Sequence, residues 1–262
     1  ICFNISFYKM KKNLSVFGCT GSIGSTTFNL LKKNNKDFSF YILSGYKNIK
    51  KIRYLIKTYN PKFFVVFDDK TYLKIKKEFY QKKVRILNSK DFDNYKFKKS
   101  DVSILAIPGM AGLKPSLKVI TISKKILIAN KESVICGWKL INNLARKNKV
   151  QIIPVDSEHF SIMNLIKNIE KKHIEKIYLT ASGGPFLNYS VKKMNNIKPA
   201  QAINHPKWKM GKKISIDSAT LMNKIFEVIE ASKLFAYDLK KIEILIHPQS
   251  LVHAVVKLKN GL

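Results

Sequence analysis

Apolar positions in the first half of the chain fall in short runs, separated by longer stretches with helical spacing. Leu14–Phe17 predicts a strand, a glycine-rich turn follows, and a helix is expected from about Ser25 to Lys33. Further strands are predicted at Phe40–Leu43, Phe63–Phe67, Val102–Ile107 and Ile126–Ala129. The run at 63–67 is apolar at every position, as in a strand buried on both faces. Lysine-rich helices at Leu113–Ile122 and Ser133–Asn148 alternate with these strands. Such alternation implies an α/β unit with a mostly parallel sheet covered on both sides.

The pattern changes near residue 150. Ile177–Leu179 predicts a strand that leads into the small-residue loop Ala181–Phe186. Asp217-Ser218-Ala219-Thr220, a second small-residue loop, leads into a helix through Ala231. Ile242–Ile246 and Ala254–Leu258 predict strands of a second, more antiparallel sheet. The expected division is 10–152 and 153–262, with 1–9 an upstream extension or processed remnant before Met10. Lys259-Asn260-Gly261 has the composition of a hairpin turn, so Leu262 is expected to open a returning strand with more protein after it.

Composition narrows the classes. The net charge is +32, yet only Arg53, Arg85 and Arg146 among 49 basic residues are arginine. Arginine is the preferred bidentate reader of bases and phosphates. Its scarcity, and the spread of lysine along the chain, argue for a solvated lysine surface and against a nucleic-acid partner. No apolar run approaches the roughly 18 residues needed to span a bilayer, so no membrane partner is expected. Cys2, Cys19 and Cys136 form no CxxC pair, which fits free thiols in a reducing compartment.

Four constellations can carry chemistry. Gly18-Cys19-Thr20-Gly21-Ser22-Ile23-Gly24 lies at the first strand–helix junction, where glycines permit a tight turn and a helix N-terminus can receive a pyrophosphate. A purely structural turn could use the same glycines. The second strand ends in Ser44-Gly45-Tyr46-Lys47-Asn48, without the acid that usually binds an NAD ribose, which favours NADP. The second constellation is Pro154-Val155-Asp156-Ser157-Glu158-His159. The strand of Val150, Ile152 and Ile153 is expected to end there and to present Asp156 and Glu158 on one face. Two carboxylates at a buried strand end are costly without a cation between them, and a divalent metal suits oxygen ligands. The third is Asn223, Lys224 and Glu227 on one helix, where i and i+4 share a face. Glu227 could complete the metal set, whereas Glu230 is rotated away from Asn223. The bland alternative is a solvated helix face. Trp208 and Met210 sit in a polar loop and suit a lid or core packing equally. Ala129-Asn130-Lys131-Glu132 occupies a strand–helix junction, where Lys131 could meet cofactor or substrate and Glu132 could cap the helix.

These blocks, in this order, closely resemble the 1-deoxy-D-xylulose 5-phosphate reductoisomerase family. The resemblance rests on GCTGSIG at 18–24, ANKE at 129–132, PVDSEH at 154–159, ASGGPF at 181–186, the 27-residue block at 205–231 and HPQSLVH at 247–253. It implies a Rossmann-like doubly wound parallel sheet followed by an α+β catalytic domain, with a C-terminal helical domain missing here. It implies Mg2+ or Mn2+, with Co2+ as a further option, on Asp156, Glu158 and Glu227. Lys131 would stand near the reacting end. Ser157, Ser182, His205, Trp208, Ser218, Asn223 and Lys224 would contact substrate, the loop around His205, Trp208 and Met210 acting as the lid. Thr20, Gly21, Ser22, Ile23, Gly45, Lys47, Asn48, Asn130, Lys131, Glu132 and Gly211 would contact NADPH, with Lys47 and Asn48 at the 2′-phosphate.

The implied activity is conversion of a phosphosugar, 1-deoxy-D-xylulose 5-phosphate, to 2-C-methyl-D-erythritol 4-phosphate by isomerisation and reduction. A homodimer in the bacterial cytoplasm, or in a plastid, is also implied. Three rivals stand beside this: a metal- and NADP-dependent dehydrogenase that does not rearrange its phosphosugar, a basic nucleic-acid binder, and a non-catalytic relic.

Overall fold

The computed structural model describes residues 11–32, 35–204 and 212–262. His205, Trp208, Met210, Gly211 and the expected extension at 1–9 lie outside the described residues. The chain divides into two compact units, one running to Asn130 and resuming at Lys139–Ile153, the other made of Lys131–Trp138 and Pro154–Leu262.

The first unit runs β1 (Lys12–Phe17), α1 (Ser22–Leu31), β2 (Phe38–Gly45), α2 (Ile49–Tyr59), β3 (Phe63–Val66), α3 (Asp69–Glu78), β4 (Arg85–Leu87), α4 (Ser89–Asn94), β5 (Ser100–Leu105), α5 (Leu113–Thr121), β6 (Ser123–Ile128), the part of α6 (Lys131–Asn148) from Lys139 on, and β7 (Gln151–Pro154) up to Ile153. The sheet order is β4-β3-β2-β1-β5-β6-β7. Strands β1 to β6 pair in parallel. The order reverses direction between β1 and β5, the switch point at which such sheets take ligands.

Local sequence accounts for these elements. Every residue of β3 is buried, as its unbroken apolar run requires. Helix α2 buries Ile52, Leu55, Ile56 and Tyr59, a 3.6-residue stripe against the sheet. Asn48 caps its start by accepting from Lys51 N at 3.0 Å, and Asn60 ends it in the left-handed region. Buried serines inside the sheet satisfy one another: Ser15 meets Ser100 at 2.6 Å, and Ser123 donates to Ser103 at 2.7 Å.

The second unit contains α7 (Ser157–Leu165), β8 (Ile174–Ala181), α8 (Val191–Met194), α9 (Pro199–Ile203), α10 (Lys212–Ala219), α11 (Met222–Phe235), β9 (Ile242–Ile246) and β10 (Ala254–Leu258). Its sheet has the order β10-β8-β9 and is mixed rather than mainly antiparallel, since β8 pairs β10 antiparallel but β9 parallel. Ile162 of α7 and Ala231 of α11 join Ile177, Leu179, Ile242 and Ala254 in its core. Edge strand β9 leaves Ile244, Leu245 and Ile246 exposed.

Two expectations about local structure are corrected. Chain 217–219 is the end of helix α10, not a loop, so Ser218 is helical. Pro154 ends β7, an edge strand, and Asp156 and Glu158 are therefore not alternating strand residues. Asp156 is the N-cap of α7, its Oδ1 accepting from Glu158 N at 3.2 Å. The strand-to-helix turn, not a period of two, sets the pair.

Candidate functional site

In the first unit the glycine turn lies between β1 and α1. Gly18 has φ +83°, and a Cβ there would stand 2.5 Å from the carbonyl oxygen of Ala106, just past β5. Only glycine meets both conditions. Gly18 N donates to Ser44 Oγ at 3.0 Å and Cys19 N to Ser44 O at 2.9 Å, tying the turn to the end of β2. Gly21 is the N-cap of α1, which has neither a side-chain cap nor an acid in its first turn. The first-turn N–H groups of Ser22 and Ile23 thus face the end of a helix dipole suited to an anion.

Gly45 belongs with this turn, because a Cβ on it would come within 3.0 Å of Thr20 Cγ2. Lys47 is exposed and 3.8 Å from Asp68 Oδ1, and Asn48 spends its Oδ1 on the α2 cap. Asn130 is buried, and its Nδ2 donates to Ile107 O and, at 2.9 Å, to Gly109 O, clamping the chain after β5. Glu132 sits in the first turn of α6.

In the second unit three elements bring together a charged cluster. Asp156 and Glu158 come from the start of α7, Asn223, Lys224 and Glu227 from the first two turns of α11, and Lys131 from the start of α6. One carboxylate oxygen from each of Asp156, Glu158 and Glu227 lies within 4.8 Å of the others. Lys131 Nζ is 3.4 Å from Asp156 Oδ2, 2.8 Å from Asn223 Oδ1 and 3.0 Å from Glu227 Oε1. Lys224 Nζ is 2.6 Å from both Glu158 Oε1 and Glu227 Oε2. Lys224 thus bridges two of the acids, the second contact pairing its charge with Glu227 Oε2. Asn223 Nδ2 donates to Glu227 Oε1, the expected i to i+4 contact. This helix face is buried, with Glu227 1% and Lys224 6% exposed, so the solvated-face alternative fails.

Burial and the nearby Asp156 and Glu227 push Glu158 up to about 7, against the pull of Lys224. Burial also acts to raise Asp156, but His159 and Lys131 outweigh it and hold that carboxyl well below the usual range. Burial lowers Lys131, yet Asp156, Glu227 and Glu230 more than restore its charge. Like-charged acids this close in a buried setting need a cation. Three hard oxygen donors within reach of one another, with Glu158 raised by burial and its acidic neighbours, fit a divalent metal such as Mg2+ or Mn2+. The ammonium groups of Lys131 and Lys224 supply the positive charge here.

The proposed phosphate residues are partly assembled. Gly184, at φ +73°, would place a Cβ 2.7 Å from Ser218 O. Its N donates to Ser182 Oγ at 3.3 Å, so the 182–184 loop is seated on the end of α10 beside Ser218. Leu221 holds the left-handed region at φ 58°, breaking α10 from α11 just before Asn223 and Lys224. A leucine there costs about 1–2 kcal/mol, the kind of strain that accumulates at functional sites. Ser157 Oγ donates to Glu158 Oε2 at the cluster's rim.

Sequence reasoning missed the support behind the acids. His159 is fully buried, its Nε2 2.9 Å from Glu227 O and its Nδ1 3.3 Å from Asp156 Oδ1 and 3.7 Å from Glu230 Oε2. Burial pulls His159 down, but Asp156 and Glu230 carry it up to about 9. Glu230 is buried and pushed up to about 7, mainly by burial. Its rotation away from Asn223 removes it from the triad but aims it at His159. Three residues after the N-cap, His159 returns to the Asp156 side of α7, which was the available signal.

A parallel sheet with a glycine turn at its switch point, and a separate buried carboxylate cluster, define a dinucleotide-fold protein with a metal-type acidic centre. Residues 14–137 match the family model for 1-deoxy-D-xylulose 5-phosphate reductoisomerase, and 152–235 match that for its C-terminal domain. The chain belongs to the 1-deoxy-D-xylulose 5-phosphate reductoisomerase family. It is 50% identical over 254 residues to the protein of that name from Pelagibacter ubique, covering 96% of this chain and 66% of the relative. A solved reductoisomerase in complex with NADPH, fosmidomycin and magnesium aligns with TM-score 0.85 at 34% identity, over 96% of this chain and 65% of that one. The Zymomonas mobilis enzyme in complex with NADPH aligns with TM-score 0.85 at 35% identity, over 97% and 66%. The chain thus spans about two thirds of the length of the relatives it matches.

Proposed function

We propose that this chain converts 1-deoxy-D-xylulose 5-phosphate to 2-C-methyl-D-erythritol 4-phosphate, using NADPH and a divalent metal. The observation that carries the proposal is the buried Asp156–Glu158–Glu227 cluster flanked by Lys131 and Lys224, within a chain of this family. The relatives solved with NADPH and with magnesium support the choice of cofactors.

In this reading residues 10–152 serve the cofactor and 153–262 the metal and substrate, with Lys131 folding beside the latter. Asp156, Glu158 and Glu227 hold the metal, which when bound supplies Lewis acidity toward the substrate's carbonyl and hydroxyl oxygens. Lys131, kept charged by its acidic neighbours, orients the reacting end. Asn223 and Lys224 leave the carboxylates to meet the phosphate together with Ser182 and Ser218. The turn at Thr20, Gly21, Ser22 and Ile23 receives the dinucleotide pyrophosphate. Lys47, exposed just past the end of β2, meets the 2′-phosphate.

The test is NADPH oxidation with the phosphosugar, with and without Mg2+ or Mn2+, and NMR identification of the product. A reduced but unrearranged product would instead assign a simple dehydrogenase.

The protein is further proposed to be a cytoplasmic homodimer. No helix among the described residues is long and apolar enough to cross a membrane. The exposed apolar residues of edge strand β9 are a surface of the kind that pairs with another chain. Sedimentation of the wild type and of Leu245→Lys tests this: a dimer that the substitution makes monomeric is expected.

A further inference from the structure

Lys51 was not singled out by any motif, yet it organises the glycine turn. It lies in the first turn of α2, and its partly buried Nζ donates to Thr20 O at 2.9 Å. It also donates to Ser25 Oγ, and that hydroxyl donates to Gly21 O at 2.5 Å. One ammonium therefore holds the Thr20 carbonyl directly; through Ser25 Oγ it also reaches the Gly21 carbonyl, which Ser25 N already binds at 3.0 Å in the first turn of α1. At the other end of the turn, Ser44 fixes Gly18 and Cys19 through their N–H groups. The carbonyl edge of the turn is thus engaged by α2, while α1 begins with no side-chain cap.

We infer that Lys51 is a positioning residue of the dinucleotide site, holding the carbonyl of Thr20 and bracing Ser25 at the start of α1 so that the turn offers N–H groups to the pyrophosphate. The inference rests on the dinucleotide reading above. A carbonyl rotated toward a diphosphate would repel it, and a partly buried ammonium adds favourable charge at short range. The role differs in kind from that of Lys47. The pyrophosphate is common to NADPH and NADH, whereas the 2′-phosphate belongs to NADPH alone. Lys51 therefore sets affinity for both cofactors, and Lys47 sets the preference between them.

The experiment is fluorescence titration of the purified chain with NADPH and with NADH, alongside thermal melting. Lys51→Met is expected to raise both Kd values by about tenfold, the scale of one charged hydrogen bond. Lys51→Arg is expected to restore most of the loss, and Lys47→Met to weaken NADPH only. If Lys51→Met does not fold, Ser25→Ala cuts the relay alone and is expected to raise both Kd values equally, by about threefold. Unchanged Kd values in these variants, or a loss confined to NADPH, would overturn the role. A wild type that binds neither cofactor would overturn the dinucleotide reading itself.

Discussion

His159 and Glu227, on helices α7 and α11, are joined by a 2.9 Å contact from the ring Nε2 to the Glu227 backbone carbonyl. The carbonyl only accepts, so Nε2 carries hydrogen, and Nδ1 faces Asp156 and Glu230. One buried ring thus spaces two of the three proposed metal carboxylates. His159→Phe keeps a planar ring and loses both contacts. Its Mn2+ affinity is expected to fall about 10–100-fold, the usual effect of removing such support. Titration followed by electron paramagnetic resonance measures this, and a wild-type affinity in a folded variant would remove the spacing role.

Glu227→Gln is expected to abolish turnover while NADPH binding persists. The amide keeps the shape but not the charge that faces Lys131 and Lys224. Full activity in that variant would sink the metal assignment of Glu227.

Metal binding should be coupled to protons through Glu158. Its folded pKa, about 7, lies above its ordinary 4.5, so the metal-free folded state holds the extra proton between these values. By linkage, its contribution to metal-free stability is present below pH 4.5 and is lost as pH rises through 7. A metal requires the ionised form, so affinity should rise about tenfold per pH unit below 7 and level off above it. Calorimetry in buffers of different ionisation heat should find about one proton released at pH 6 and few at pH 8. Equal release at both would reject the coupling.

Gly184→Ala forces a Cβ to 2.7 Å from Ser218 O at a positive φ. A cost of about 2 kcal/mol is expected from the left-handed backbone alone. The displaced loop carries Ser182, so KM for the phosphosugar should rise more than kcat falls. A variant with wild-type melting temperature and KM would show that the loop relaxes freely.

Most of the parallel sheet was legible because its strands carry short apolar runs, unbroken in β3, and its glycines mark a turn that no other residue fits. Gly18 is the clearest case, with its φ and its approach to Ala106 both demanding glycine. Short β4 was not legible, since Arg85-Ile86-Leu87 is too brief to show a period. The acids were recognised at once, but the geometry that pairs them was not, because Pro154 stops the strand and Asp156 starts a helix. Periodicity describes residues within an element and is silent where one element becomes another. The same limit hid the contacts of Lys51 with Thr20 in the glycine turn and of His159 with Glu227 on α11.

The two lysines within the acidic cluster bear on the order in which ligands bind. With its three carboxylates ionised, the group of Asp156, Glu158, Glu227, Lys131 and Lys224 carries one net negative charge, which the His159 ring beside Asp156 offsets when protonated. A divalent ion would make the group positive and loosen the carboxylates' hold on both ammonium groups. On the proposed phosphosugar reading, an anionic substrate would then be attracted. Metal addition ahead of the phosphosugar is the binding order that this reading predicts.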